Sequence, residues 1–123
     1  MKLAIIGSRQ INLKDIEKYL PPSVSEIVSG GAKGVDSYAA EYARKNGIKL
    51  TEFLPEYEKY GRGAPLKRNV KIVEYADEGL AFWDVSSKGT KYTIELFKKA
   101  NKKIAVIHAA RFGNCITVFL LKM

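Results

Sequence analysis

Two short stretches carry residue types suited to holding an anion. Ser29-Gly30-Gly31-Ala32-Lys33-Gly34-Val35-Asp36 follows the apolar pair Ile27-Val28, and Ser86-Ser87-Lys88-Gly89-Thr90 follows Leu80-Ala81-Phe82-Trp83. Each reads as a strand ending in a small polar loop that opens a helix. Such a junction leaves backbone N–H groups without intrahelical partners, and a phosphate can accept from them. Gly30, Gly31 and Gly34 either let the backbone approach a ligand closely or simply shape the strand-to-helix turn. The spacing is neither the dinucleotide fingerprint nor a Walker loop, because Gly34-Val35-Asp36 stands where Gly-Lys-Ser/Thr would. Lys33 is a candidate counter-charge for a phosphate, or else an exposed lysine in a turn. Asp36, in the first helical turn, caps or stabilises the helix, accepts from a ribose hydroxyl, or orients a basic loop residue. A carboxylate is poorly placed beside a phosphate, which favours the structural role.

Other candidates flank these loops. Gly7-Ser8-Arg9 ends the first apolar run, and Arg9 brings a planar fork fit for a bidentate phosphate contact or for tethering the sheet end. Arg68-Asn69, early in a helix, brings a cation and an amide. Ser87 and Thr90 flank Gly89, where their hydroxyls reach a phosphate or start a helix, and Lys88 adds charge. Tyr57 and Tyr60, interleaved with Lys59 and Arg62, are candidates for stacking on a base. Hydrolysis would need a carboxylate over the bond. Among Asp36, Asp77, Asp84 and Glu95, Asp84 is best positioned, directly after a strand, whereas Glu95 lies more than a full turn beyond Thr90. His108 has no triad partner nearby in sequence.

Composition bounds the classes. A length of 123 residues suits one domain, 1–123, with one core. A single cysteine, Cys115, and a single histidine exclude an internal disulfide and argue against a zinc cluster, so no metal is expected. The N-terminal apolar run is too short for a signal-peptide core and no stretch suits a membrane span, so a cytoplasmic protein with no membrane partner is expected. The net charge of +8 raises the local concentration of anions. It fits a nucleotide, a nucleic acid or an acidic protein equally well.

The elements that must position these residues follow from the apolar pattern. Leu3–Ile6, Glu26–Ser29, Lys49–Phe53, Gly79–Trp83 and Lys103–Ile107 read as strands. Asp15–Leu20 reads as a short helix stopped by Pro21-Pro22, and 34–46 as a helix burying Val35, Tyr38, Ala39, Tyr42 and Ala43. Leu66, Val70, Val73 and Ala76 mark a third helix, and Thr90–Lys102 a fourth, with Thr93, Ile94, Phe97 and Ala100 inward. Residues 54–65 read as a long irregular loop, and Ile116–Leu121 as an edge strand or a subunit contact. Alternating strand and helix predicts a parallel α/β sheet with helices on both faces, and ligands beyond the carboxyl ends of its strands.

The ordered series Ile5-Ile6-Gly7-Ser8-Arg9, Ser29 to Asp36, Arg68-Asn69, Ala76-Asp77 and Ser87-Lys88-Gly89-Thr90 resembles the SLOG superfamily, nearest its small YspA-like, cpYpsA-related branch. The resemblance runs from the first strand to about Ile107. It implies a Rossmann-like three-layer sandwich and a bacterial or phage protein that binds or senses a nucleotide or a nucleotide-derived phosphate, as a homodimer or higher homo-oligomer. Its cleft would comprise Gly7, Ser8, Arg9, Gly30, Gly31, Lys33, Gly34, Arg68, Asn69, Ser87, Lys88, Gly89 and Thr90, with Asp36 near the ribose. Two relatives supply alternatives. DprA proteins share a Ser-Gly-x-Ala-x-Gly-x-Asp segment and bind single-stranded DNA. LOG enzymes cleave the N-glycosidic bond of a nucleoside monophosphate, but their motif glutamate falls here at Thr93, and Asp84-Val85-Ser86-Ser87 replaces their Pro-Gly-Gly lead-in. Thr93 cannot supply a carboxylate, so binding rather than catalysis is expected.

Overall fold

Six strands pair into one sheet in the order β3-β2-β1-β4-β5-β6. The structure, a computed structural model, describes residues 1–8, 16–31, 34–109 and 116–121, with 109 and 116–121 as backbone alone. The strands are β1 (Lys2–Gly7), β2 (Glu26–Ser29), β3 (Lys49–Glu52), β4 (Glu78–Trp83), β5 (Ile104–Ala109) and β6 (Ile116–Leu121). The first five run parallel, and β6 returns antiparallel to β5, pairing Ile104 with Leu121 and Ala109 with Ile116. This order is that of the Rossmann fold, and it reverses between β1 and β4, where a crevice opens beyond the strand ends.

The apolar alternation decides what covers each face. Leu3, Ile5, Ile27, Leu80, Phe82 and Ile107 point to one side, where α1 (Val35–Lys45) packs through Val35, Ala39 and Ala43, joined by Ile16 of a 3-10 turn (Ile16–Tyr19). Ala4, Ile6, Val28, Ala81, Ile104 and Val106 point to the other. There α3 (Ala64–Tyr75) packs through Ile72 and Val73, and α4 (Lys88–Lys99) through Ile94 and Phe97. The result is a mostly parallel sheet flanked by helices, a Rossmann-like sandwich. Among the described residues no helix is long and apolar enough to cross a membrane.

Four local expectations change. Residues 54–65 are not one irregular loop: α2 (Tyr57–Tyr60) and a 3-10 turn (Gly61–Gly63) lead directly into α3. Pro65 sits in the first turn of α3, where its missing N–H costs no hydrogen bond, so a segment rich in Pro and Gly still starts a helix. On α1, Tyr38 is exposed while Ala40 and Asp36 are buried, because Asp36 lies at the sheet end, where the helix start turns into the crevice. On α3, Leu66 is exposed and Arg68 buried; the first turn overhangs the crevice, so apolarity does not track the core there. Ala100 is also exposed, at the C-terminal end of α4.

Two polar ties hold the layers. The Lys102 ammonium donates to the carbonyls of Val73 at 2.6 Å, Ala76 at 2.8 Å and Glu74 at 3.1 Å, closing the C-terminus of α3 with a cation. Lys102→Met is expected to lower the unfolding free energy by about 1–2 kcal/mol, read from the denaturant midpoint at unchanged slope. The second tie is the nearly buried Glu26, which accepts from the Thr51 hydroxyl at 2.6 Å and from the Tyr75 hydroxyl. Those two donors, with Lys49 in a lesser role, outweigh burial and hold its carboxyl below the ordinary value of 4.5. A depressed folded pKa contributes stability above the unfolded value, and that contribution disappears as pH falls through the folded one. Thermal melts between pH 6 and pH 3 are therefore expected to fall less steeply in Glu26→Gln than in the parent chain.

Candidate functional site

The crevice between the ends of β1 and β4 is a cleft of about 400 Å³. β1 delivers Ile6, Gly7 and Ser8; the turn after β2 delivers Gly30; the start of α1 delivers Asp36. Pro65, Leu66, Arg68, Asn69 and Ile72 come from α3, and Asp84, Ser86, Ser87, Gly89, Thr90 and Thr93 from the β4–α4 loop and α4. Four separated segments thus meet because parallel strands all end on the same edge.

Arg68 is the link between two of them. Its side chain is buried, and Nη1 donates to the Gly30 carbonyl while Nε donates to Asn69 Oδ1 at 2.6 Å and to the Pro65 carbonyl at 3.3 Å. A Cβ on Gly30 would lie 2.5 Å from Nη1. A side chain at 30 would therefore force the guanidinium out of its place beside the turn. Gly31 is constrained for a different reason: its φ of 69° lies in the left-handed region, and a side chain would run into Leu54. The Gly31 N–H bonds Ser29 Oγ at 3.3 Å, which closes the turn.

The β4–α4 loop is wound around Asp84. Its Oδ1 accepts from the N–H groups of Ser86 and Ser87, both at 2.9 Å, and its own N–H donates to Ser8 Oγ at 3.3 Å. Burial works to raise the Asp84 pKa, but the Ser87 and Ser86 donors, with the Ser8 hydroxyl, outweigh it and hold the carboxyl below its ordinary value. An ionised, internally bonded carboxylate shapes a loop well and is a weak proton donor. Within the loop Val85 has φ 74°, a strained conformation for a β-branched residue, costing about 1–3 kcal/mol.

The loop ends in the α4 N-terminus. Ser87 Oγ accepts from the Thr90 N–H at 3.4 Å and pairs with the Thr90 hydroxyl at 3.1 Å. The Ser87 carbonyl accepts from the Lys91 N–H and from the Trp83 indole at 2.9 Å. The cap thus uses the Thr90 donor and the first intrahelical bond the Lys91 donor, and among the described residues the Lys88 and Gly89 N–H groups are the ones left at this helix start. A Cβ on Gly89 would meet nothing within 4 Å, which leaves the approach to those amides open. Thr93 is buried and donates to the Gly89 carbonyl at 2.9 Å.

Of the residues expected from sequence, Gly7, Ser8, Gly30, Asp36, Arg68, Asn69, Asp84, Ser87, Gly89 and Thr90 line the cleft. Gly31 and Gly34 shape the turn beside it, Gly34 with φ 78° at the start of α1. Lys88 is exposed at the α4 start and is not part of the lining. Arg9 and Lys33 lie outside the described residues. Tyr57 and Tyr60 are on α2 and do not line the cleft. Lys59 and Lys67 approach the Tyr60 ring instead, at 5.2 and 5.9 Å from its centroid. Glu95 lines a separate groove with Trp83 and His108. The apolar wall of Ile6, Pro65, Leu66 and Ile72 went unnoticed in the sequence; the i, i+3, i+4 and i+7 relation of 65, 68, 69 and 72 was the available signal.

Residues 1–60 match a SLOG family model. It is the model described as the YspA, cpYpsA-related SLOG family. The matched residues run from β1 through β3 to α2 and include the Ser29–Asp36 segment. The α3 and α4 walls of the cleft lie beyond the matched residues. No curated protein and no solved structure gives a significant match.

Gly30→Ala is expected to displace the Arg68 guanidinium and to lower the unfolding free energy by about 1–3 kcal/mol. Chemical denaturation checks it, because the same substitution at an unconstrained turn would move the midpoint little.

Proposed function

We propose that the cleft binds a nucleotide or a nucleotide-derived phosphate, and that the chain is a non-hydrolytic sensor of the YspA-like SLOG kind. One observation carries the reading: at the β1–β4 reversal, the Lys88 and Gly89 N–H groups at the α4 start have no hydrogen-bond partner among the described residues, beside a glycine that blocks nothing. The helix dipole and these amides favour a phosphate there. The apolar wall of α3 suits a base. The net charge of +8 draws anionic ligands in. Hydrolysis is disfavoured because Asp84 is ionised and tied to its own loop, and Thr93 offers no carboxylate. β6, bonded to β5 along one side and carrying no charged residue, supports self-association along the sheet edge.

Native mass spectrometry of the gently purified chain, with a panel of nucleoside phosphates and a short single strand, tests this. Retention of an intact nucleotide supports the reading. Release of free base would replace it with an N-glycosidic hydrolase, and retention of the oligonucleotide alone with nucleic-acid binding. Gly89→Ala sharpens the result. It is expected to leave stability unchanged or raise it by about 0.5 kcal/mol, while weakening nucleotide retention, because the added methyl takes up open space beside the helix-start amides. A variant of equal stability and equal affinity would move the phosphate away from α4.

A further inference from the structure

On the α3 wall, Arg68 and Asn69 are joined side by side, and the join has a chemical direction. The Arg68 Nε donates to the Asn69 amide at 2.6 Å. A guanidinium carries donors only, so the amide atom facing it is the oxygen. The NH2 group is the end left for the cleft that Asn69 lines. Arg68 is not at liberty to turn away, since the Gly30 carbonyl holds Nη1, the Pro65 carbonyl shares Nε, and the side chain is buried. Around Asn69 the wall consists of Pro65, Leu66 and Ile72, a surface for the planar, uncharged part of a ligand rather than for its phosphate.

We infer that Asn69 is a specificity-determining residue: its Nδ2 donates to an oxo group on the ligand's base, and Arg68 is the positioning residue that fixes which end of the amide faces the cleft. This rests on the nucleotide reading given above. The bidentate amide pattern that reads adenine uses both the oxygen and the NH2. Here Oδ1 is turned toward Arg68, so the NH2 end of the amide is the one that faces the base. A donor there matches the oxygen of a 6-oxopurine and opposes the amino group of a 6-aminopurine. The cleft therefore prefers the oxopurine when ribose and phosphate are the same.

Calorimetric titration with inosine monophosphate and adenosine monophosphate tests this in the parent chain and in Asn69→Asp. The carboxylate of that variant still offers an oxygen to Arg68, so the wall stays tied, but it presents an acceptor where the donor was. Its added charge acts equally on the phosphate common to both ligands, so the ratio of the two affinities isolates the base. The parent chain is expected to favour the inosine nucleotide about tenfold, and Asn69→Asp to abolish or reverse that preference at an unchanged melting temperature. No preference in the parent chain, or the same ratio in the variant, overturns the Asn69 assignment and leaves the nucleotide reading standing. Binding of neither nucleotide, nor of any other nucleoside phosphate, removes the reading and the assignment together. If Asn69→Asp does not fold, Asn69→Ser supplies the second ratio, with loss of the preference expected and its retention overturning the assignment.

Discussion

The buried guanidinium of Arg68 is the interaction on which the cleft depends. It joins the turn after β2 to the first turns of α3, two segments 38 residues apart in sequence, across the gap where the strand order reverses. Burying an arginine is costly unless its donors are satisfied. Backbone carbonyls at Gly30 and Pro65 and the Asn69 oxygen meet that demand. The same bonds fix the direction of the turn and the orientation of the amide. A side chain at 30 would then have to displace the guanidinium.

The opposite wall is organised by a carboxylate in the same manner. Asp84 gathers the Ser86 and Ser87 N–H groups, and Ser87 in turn caps α4. Each wall thus has one ionised side chain bonded largely to backbone. Charge that sequence reading assigns to ligand contact is used to hold loops in shape. What remains facing the cleft is the Asp36 carboxylate among neutral groups: hydroxyls, one amide and the first N–H groups of a helix.

Much of the fold was legible because burial on both faces of a parallel sheet writes apolar runs into β1, β2, β4 and β5, and the three long helices show three–four spacing; the edge strand β3, Lys49-Leu50-Thr51-Glu52, shows only alternation. The antiparallel return of β6 follows from no pattern in Ile116–Leu121, since an apolar edge strand reads alike in either direction. The helical content of 54–65 was hidden by its prolines and glycines, which mark helix starts as readily as loops. Within the site, strand ends and glycine turns named most of the lining. The role of Arg68 did not show, because its partner is a carbonyl oxygen with no sequence signature. Neither did the apolar wall of α3, whose Leu66 looks in sequence like core. The likeness to SLOG proteins covers residues 1–60, and the Arg68, Asn69 and α4 contributions rest on geometry alone.

The one tryptophan of the chain stands behind the second of these walls, in the separate groove that Glu95 and His108 line. Its indole N–H is bonded to the Ser87 carbonyl, the residue that caps α4, and its ring meets His108 edge to face at 5.6 Å between centroids. An indole's emission shifts with the polarity and hydrogen bonding around it. The protein therefore carries a built-in optical probe behind the α4 wall of the cleft, sensitive to any adjustment of the α4 start and undiluted by signal from a second tryptophan.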